Sequence, residues 1–208
     1  MKTNVYSSES EMESIVPVTT DREAHPKRWI AALVQMCMEK KVGERLTKLG
    51  VENYVPTQTE IRQWSDRKKK VERVVIPMVV FVHTDEKTER TLRMHSFIRK
   101  ILTYPGQTTA AVIPDDQIDR LKFMLRQSDS PVEMIEHLQV GDKVHIVRGA
   151  LQGLEGEFFK NVDKSMVAIH IEALGYACVS VSVEDVALCH SERSEDGLLS
   201  LGEKSRKH

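Results

Sequence analysis

The stretch RQWSDRKKKVERVVIPMVVFV, residues 62–82, places a dense run of charge directly before a run of β-branched residues. Six cations and two carboxylates lie between Arg62 and Arg73, and residues 74–82 are then almost all apolar. Such an apolar run predicts a buried strand, in which Pro77 marks an edge or a bulge because proline cannot donate to a strand ladder. A basic turn against a buried strand suggests a site where a charged polymer lies beside a rigid sheet.

Apolar spacing elsewhere predicts an α+β unit over residues 26–128, with helices beside an antiparallel sheet. The run from Trp29 to Val34 predicts a strand. A helix with one apolar stripe follows, ended by Gly50, and its stripe consists of Val42, Leu46 and Leu49. VENYVP predicts a short strand, and VERVVIPMVVFVHT a single long one.

The last part of this unit contains one ambiguous segment and one clear helix. RTLRMHSFIRKIL, residues 90–102, fits either a helix or a strand. IPDDQIDRLKFMLRQS predicts a helix capped by Asp115 or Asp116, because a short carboxylate can accept hydrogen bonds from the first free amides. Its predicted buried face consists of Ile118, Leu121 and Leu125.

The pattern changes after residue 128. A polar, proline-containing linker is expected over 129–138, and alternating apolar residues punctuated by glycines predict a small β-barrel over 139–189. Gly149, Gly153 and Gly156 indicate a tight strand–loop–strand corner with Leu151 and Leu154 packed beneath it. From the residues alone, this could be the corner of any small barrel.

Composition bounds the rest of the chain. Residues 1–25 are rich in Ser, Thr and Glu and predict a disordered acidic tail, and residues 190–208 predict a flexible one. The three cysteines form no CxxC pair and indicate free thiols in a reducing compartment. Without an apolar run of signal-peptide or membrane-spanning length, we expect a cytoplasmic protein. The net charge of −1 argues against wholesale electrostatic binding to nucleic acid, so any such contact needs a local cluster of cations.

Catalysis is not expected. The eight histidines show no HxH or HExxH spacing, and neither a GxxxxGK[ST] phosphate loop nor a GxSxG motif is present. The neighbouring carboxylates Asp115 and Asp116 are explained by a helix cap. The prediction is a protein that acts by binding, with no metal and no cofactor.

Two motifs resemble known families. GDKVHIVRGALQGLEGEF resembles the KOW motif of ribosomal proteins and of NusG-family transcription elongation factors. RWIAALVQ, EKKVGERLTKLGVENYVP, VVIPMVVFV and AVIPDDQIDRLK resemble the N-terminal (NGN) domain of NusG proteins, in that family's order. YVPTQTEIRQWSDRKKKVERVVIP is most similar to the UpxY-type antiterminators of capsule-biosynthesis operons. The resemblance spans about residues 27–188.

The resemblance implies a contact with the clamp helices of the largest catalytic subunit of RNA polymerase, through an apolar patch on the NGN sheet. An exposed apolar patch of this kind often marks a partner site. The alternative is that the apolar members are ordinary core residues. The positions implied are Leu33, Val79, Phe81 and Lys100.

The resemblance also implies a face that touches the non-template DNA strand, with possible contacts to nascent RNA. Cations there would bind phosphates, and Thr or Gln could read a flipped base. On one side the face comprises Gln35, Lys41, Arg90, Thr91 and Arg93. The basic turn adds Arg67, Lys68, Lys69, Lys70 and Arg73 as a hairpin tip near DNA or polymerase. A plain solvated surface is the alternative for each of these residues.

The function implied is NusG-like antitermination: binding to polymerase, read-through of terminators in specific capsular-polysaccharide operons, and recruitment of a ribosomal protein or a termination factor by the KOW barrel. Two alternatives stay open. One is a general NusG-type elongation factor. The other is a ribosome-associated KOW protein that binds RNA, which the charge of −1 disfavours.

Overall fold

The structure is a computed structural model that describes residues 26–63, 67–138, 141–161 and 164–189. The predicted tails, 1–25 and 190–208, lie outside the described residues. The helices are α1 (Glu39–Lys48), α2 (Glu86–Leu92) and α3 (Asp115–Gln127). The strands up to α3 are β1 (Arg28–Leu33), β2 (Glu52–Tyr54), β3 (Thr57–Gln63), β4 (Lys68–Val74), β5 (Val79–Thr84), β6 (Lys100–Ile101) and β7 (Val112–Ile113). After α3 come β8 (Glu133–Ile135), β9 (Asp142–Ile146), β10 (Glu155–Asn161), β11 (Lys164–Ile171), β12 (Gly175–Ser180) and β13 (Val186–Leu188).

The elements from β1 to α3, here called the first unit, form an antiparallel sheet with the order β2-β5-β1-β6, and β7 also pairs with β1. Strands β1 and β5 are central because both of their faces are apolar and buried. Side chains of Ile30, Val80 and Val82 face α1 and α2, and those of Trp29 and Phe81 face α3. The prediction of an α+β unit with helices beside an antiparallel sheet is confirmed.

The prediction of one long strand over VERVVIPMVVFVHT is wrong. The segment forms two strands, β4 and β5, separated by Pro77 and by Met78, whose φ is 63°. The amide of Met78 donates to Oε1 of Glu39, at 2.7 Å, and this glutamate is buried. A buried carboxylate thus satisfies the backbone where the strand breaks. The basic residues consequently belong to a separate two-stranded sheet, β3–β4, here called the basic ribbon.

Both predicted amphipathic helices form. Val42 and Leu46 are buried on α1, and Gly50 beyond its end has a φ of 74°, as a helix stop requires. On α3 the predicted face is buried, but the predicted cap is wrong. The N-cap position is Pro114, whose side chain cannot accept a hydrogen bond, and both aspartates lie in the first turn instead. There they favour the helix through its dipole.

The ambiguous segment 90–102 contains both structures. Helix α2 begins at Glu86, where the side chain of Asp85 accepts from the amide of Thr88 at 2.7 Å, and strand β6 follows at Lys100. The part up to Leu92 is helical because the start of α2 is capped. The part from Lys100 is a strand because it pairs with β1, where Ala32 lies opposite Ile101.

The elements from β8 to β13, here called the second unit, form one antiparallel sheet with the order β13-β9-β10-β11-β12-β8. Val183, one of the apolar residues whose alternation predicted the barrel, does not lie in a strand. It lies in a short 3-10 turn and is 57% exposed. The glycine corner forms as expected, with φ angles of 84° at Gly149 and 88° at Gly153. Gly156 is required for a different reason, the close approach of a neighbouring strand: a Cβ there would lie 2.5 Å from the carbonyl oxygen of Ala168 on the paired strand.

The thiols differ in accessibility, which gives a direct test of the core. Cys37 and Cys189 are exposed, whereas burial, aided by the charge of Glu133, raises the pKa of Cys178 to about 12. Because the thiolate is the reactive form, we expect two thiols to react rapidly with a chromogenic disulfide at pH 8 and the third only in denaturant. A Cys178→Ala variant should lose only the slow thiol. Rapid reaction of all three in the native protein would contradict the buried position of Cys178.

Candidate functional site

The α3-facing side of the first sheet, here called the apolar sheet face, is the implied polymerase surface. Strand alternation places Trp29, Ala31 and Leu33 of β1 beside Val79 and Phe81 of β5 on this side. In the β1–β6 register Leu33 lies opposite Lys100, so both point to the same side of the sheet. The four residues implied for the polymerase contact are therefore brought together on one face.

The expectation that this patch is exposed is wrong for two of its members. Phe81 is 0% and Val79 3% exposed, whereas Leu33 is half-buried and Lys100 exposed. The cause is α3, whose Ile118 and Leu121 belong to the same hydrophobic cluster. Apolar surface of this extent is covered because its contact with water is unfavourable. Of the four implied residues, Leu33 and Lys100 reach the surface.

Aromatic rings make up much of this face. Tyr54 stacks on Phe81 with ring centroids 6.2 Å apart, and Trp29 stacks on His83 at 4.9 Å. The ammonium group of Lys122 on α3 lies 4.9 Å from the centroid of the Trp29 ring and 5.6 Å from that of Tyr54. Burial raises the pKa of Tyr54 to about 12, although the charge of Arg126 lowers it in part. The phenol stays protonated at neutral pH.

The sequence-based site did not include Trp29, Tyr54 or Lys122. Trp29 could have been found, because it shares the strand parity of Leu33. Tyr54 and Lys122 could not, since they come to this face only through the pairing of β2 with β5 and the packing of α3.

The second unit packs against the first, which answers a question that the sequence left open. The cluster containing Phe81 and Leu121 also contains Val167, Ile169 and Ile171 of the second sheet. Helix α3 contacts β11, and the amide of Glu172 donates to Oε1 of Gln117 at 2.7 Å. One continuous apolar core therefore joins the two units, and α3 lies between their sheets.

The basic ribbon has two different faces. Side chains alternate along β4, so that Lys68 and Lys70 lie on the face that also carries Glu72, and Arg73 lies on the other. Arg67, Lys68, Lys69 and Lys70 are all exposed. Arg73 has partners within the protein: its guanidinium pairs with Glu60 and donates to the carbonyl of Val132 at 2.9 Å. We therefore leave Arg73 out of the candidate nucleic-acid surface.

The remaining predicted nucleic-acid residues lie on the opposite, helical side of the first sheet. Gln35 lies in the loop between β1 and α1, Lys41 lies on α1, and both are exposed. Arg90 pairs with Glu86 at 2.5 Å on the surface of α2, and the hydroxyl of Thr91 donates to the carbonyl of Lys87 at 3.3 Å. These interactions are local and exposed, so they compete weakly with a phosphate.

Arg93 is held more firmly. Its Nη2 and Nε lie 2.7 and 3.0 Å from Oε1 of Glu89, and Nη2 of Arg28 lies 2.8 Å from Oε2 of the same carboxylate. Glu89 is only 5% exposed and balances two arginines. Arg93 is thus bound to a buried carboxylate.

An ion pair joins the helical side to the ribbon. Nζ of Lys40 on α1 lies 2.6 Å from Oε2 of Glu72 on β4, and this bond together with the charge of Lys40 lowers the pKa of Glu72. The candidate cations therefore form two groups: Arg67, Lys68, Lys69 and Lys70 on the ribbon, and Lys41, Arg90 and Arg93 on the helical side of the first sheet. Among the described residues, no group of His, Cys, Asp or Glu forms a metal site, and no helix is long and apolar enough to span a membrane.

The first unit is an α+β domain with an apolar sheet face on one side and helices that carry exposed cations on the other. Residues 27–122 match the model of the family described as transcription termination factor NusG. The match covers just under half of the chain, and it shows that this segment is similar to that family.

Two of the solved structures that match this chain are distant likenesses. One is described as "Domain interaction in Thermotoga maritima NusG"; it is 18% identical, with a TM-score of 0.42, and the alignment covers 79% of this chain and 98% of that one. The other is described as "Crystal Structure of MjSpt4:Spt5 complex conformation B"; it is 19% identical, with a TM-score of 0.24, and the coverages are 78% and 97%. No curated protein matches the chain.

Proposed function

We propose that this protein is a NusG-like transcription factor that binds RNA polymerase through the Leu33–Lys100 edge of the apolar sheet face, the part of that face that is exposed. The observation that carries the proposal is the NusG-family match over residues 27–122, which contains every residue of that face. The family supports a general role in transcription elongation. Read-through of specific, capsular-polysaccharide operons is the finer proposal, and the resemblance of the residues around the basic ribbon to UpxY-type antiterminators supports it.

The mechanism proposed is binding without catalysis, metal or cofactor. A protein that binds the elongating form of polymerase more tightly than the paused form shifts the population toward elongation. Exposed Lys68 and Lys70 would hold phosphates of the non-template strand or of nascent RNA, which requires only a local cluster of cations. The second unit, as a KOW-type domain, would recruit a ribosomal protein or a termination factor once it leaves α3.

The test is retention of purified core RNA polymerase on the immobilised full chain. Lys100 is exposed on the apolar sheet face, so Lys100→Glu should fold normally and reduce retention at least about fivefold, by reversing a charge at the edge of the contact. The matched control is Lys48→Glu, an exposed reversal on α1 at the other side of the sheet, which should bind like the wild type.

Docking of the second unit could hide the contact, so a third variant is needed. Gln117→Ala removes the acceptor for the Glu172 amide, and we expect it to retain more polymerase than the wild type. If neither the wild type nor Gln117→Ala retains polymerase, the proposal is wrong. Equal losses in Lys100→Glu and Lys48→Glu would keep polymerase as a partner and move the contact away from the apolar sheet face.

A further inference from the structure

The segment joining the two units is bound to the basic ribbon along its length. Residues 129–138 were expected to be a linker, yet β8 already begins at Glu133 and pairs with β12. Only residues 128–132 separate α3 from β8. Among them Val132 is fully buried, and the hydroxyl of Ser128 donates to the carbonyl of Ser130 at 2.7 Å.

Gln58 of β3 is the centre of this attachment. Its Nε2 donates to the carbonyls of Ser130 at 2.8 Å and Ser128 at 3.3 Å, and its Oε1 accepts from the amide of Val132 at 2.9 Å. Gln58 is 3% exposed. Its buried amide group is therefore hydrogen-bonded to three backbone groups of the connection and not to water. Arg73, paired with Glu60, adds its own bond to the carbonyl of Val132.

We infer that Gln58 and Arg73 form a latch by which the basic ribbon holds the second unit on the first. The latch at the start of β8 thereby adds to the shared apolar core and to the bond between Gln117 and the amide of Glu172 at the end of β11. Since β8 starts one residue after Val132, a closed latch leaves about one residue of chain, roughly 3.5 Å, for movement of the second unit. Undocking requires that the latch open.

The latch lies on one of the two faces of the basic ribbon. The inward face carries Gln58, Glu60 and Arg73 and binds the connection, while Lys68 and Lys70 lie on the other face of the same strands. A distortion of the ribbon therefore acts directly on the docking of the second unit. Docking in turn covers the part of the apolar core that α3 and the second sheet share. The inference needs no polymerase and stands independently of the proposed function.

The test is amide hydrogen exchange of the full chain, read at Glu172, because this amide bonds across the interface between the units. Each neutral hydrogen bond changes an equilibrium by about 2- to 12-fold, so loss of the three Gln58 bonds in Gln58→Ala should accelerate exchange at Glu172 at least about tenfold. Exchange at Ile30 and Val82, in the core on the helical side of the first sheet, should stay unchanged. Thr59→Ala is the matched control, since Thr59 is the exposed neighbour on the outer face of β3.

A second variant covers the case in which Gln58→Ala fails to fold. Gln58→Glu keeps the acceptor for the Val132 amide but sets a carboxylate against two carbonyls, so Glu172 should again exchange faster than in the wild type. The inference is overturned if Glu172 exchanges at the wild-type rate in the folded variants. It is also overturned if Ile30 and Val82 accelerate by the same factor, because Gln58 would then stabilise only the first unit.

Discussion

Phe81→Asp is expected to unfold the first unit, and not simply to detach it from polymerase. Phe81 is 0% exposed, stacked on Tyr54 and packed in the same cluster as Leu121. The substitution removes a buried ring and buries a carboxylate that has no partner. Together these changes should lower the free energy of unfolding by more than about 4 kcal/mol, most of the stability of an ordinary domain.

Urea denaturation followed by circular dichroism measures this effect. Phe81→Leu keeps an apolar side chain of smaller volume and should cost about 1 kcal/mol, while Lys100→Glu at the exposed edge should change stability by less than about 0.5 kcal/mol. A wild-type denaturation midpoint for Phe81→Asp would place this ring at the surface in solution and would overturn the description of a covered apolar sheet face. A polymerase-binding defect of this variant carries no information about the contact unless the fold is verified.

Glu89→Ala is expected to produce the second largest loss. The carboxylate is buried and accepts charged hydrogen bonds from Arg28 and from Arg93, which tie the start of β1 to the end of α2. Both arginines are about a third exposed and can be rehydrated, so the cost should be about 2 to 3 kcal/mol, less than for a fully buried ion network.

The matched control for this prediction is Glu86→Ala, which removes the exposed partner of Arg90 and should change the free energy of unfolding by less than about 0.5 kcal/mol. The measurement is again the urea midpoint of the full chain. Equal effects of the two substitutions would show that Glu89 is hydrated in solution. If Glu89→Ala folds, it also frees the guanidinium of Arg93, and single-stranded DNA affinity should then rise if Arg93 belongs to the nucleic-acid surface.

Local patterns in the sequence predicted the elements whose own residues decide them. The apolar stripes of α1 and α3, the continuous apolar run of β1 and the alternation of Val167, Ile169 and Ile171 in β11 each follow from a pattern that one element can satisfy alone. The glycine corner was likewise predictable, because positive φ angles at Gly149 and Gly153 need residues without a Cβ.

The errors have a common cause in contacts between distant residues. The break between β4 and β5 depends on the buried carboxylate of Glu39, and the N-terminus of α3 is set by Pro114 and not by either aspartate. The connection after α3 looks polar and unstructured in sequence, yet Gln58, seventy-four residues before Val132, binds it. The local periodicity of the sequence does not indicate a hydrogen bond between residues so far apart.

The candidate site divides in the same way. The sequence by itself determined which residues are apolar, which are cationic and which share strand parity, so Val79 and Phe81 were expected on one face of their strand. Only the family resemblance added Leu33 to them. Only the tertiary structure decided that α3 and the second unit bury most of that face, that Arg73 and Arg93 have internal partners, and that the ribbon holds the connection. The physical reason is that side-chain chemistry and backbone period are local properties, whereas exposure and pairing depend on which distant elements the fold brings together.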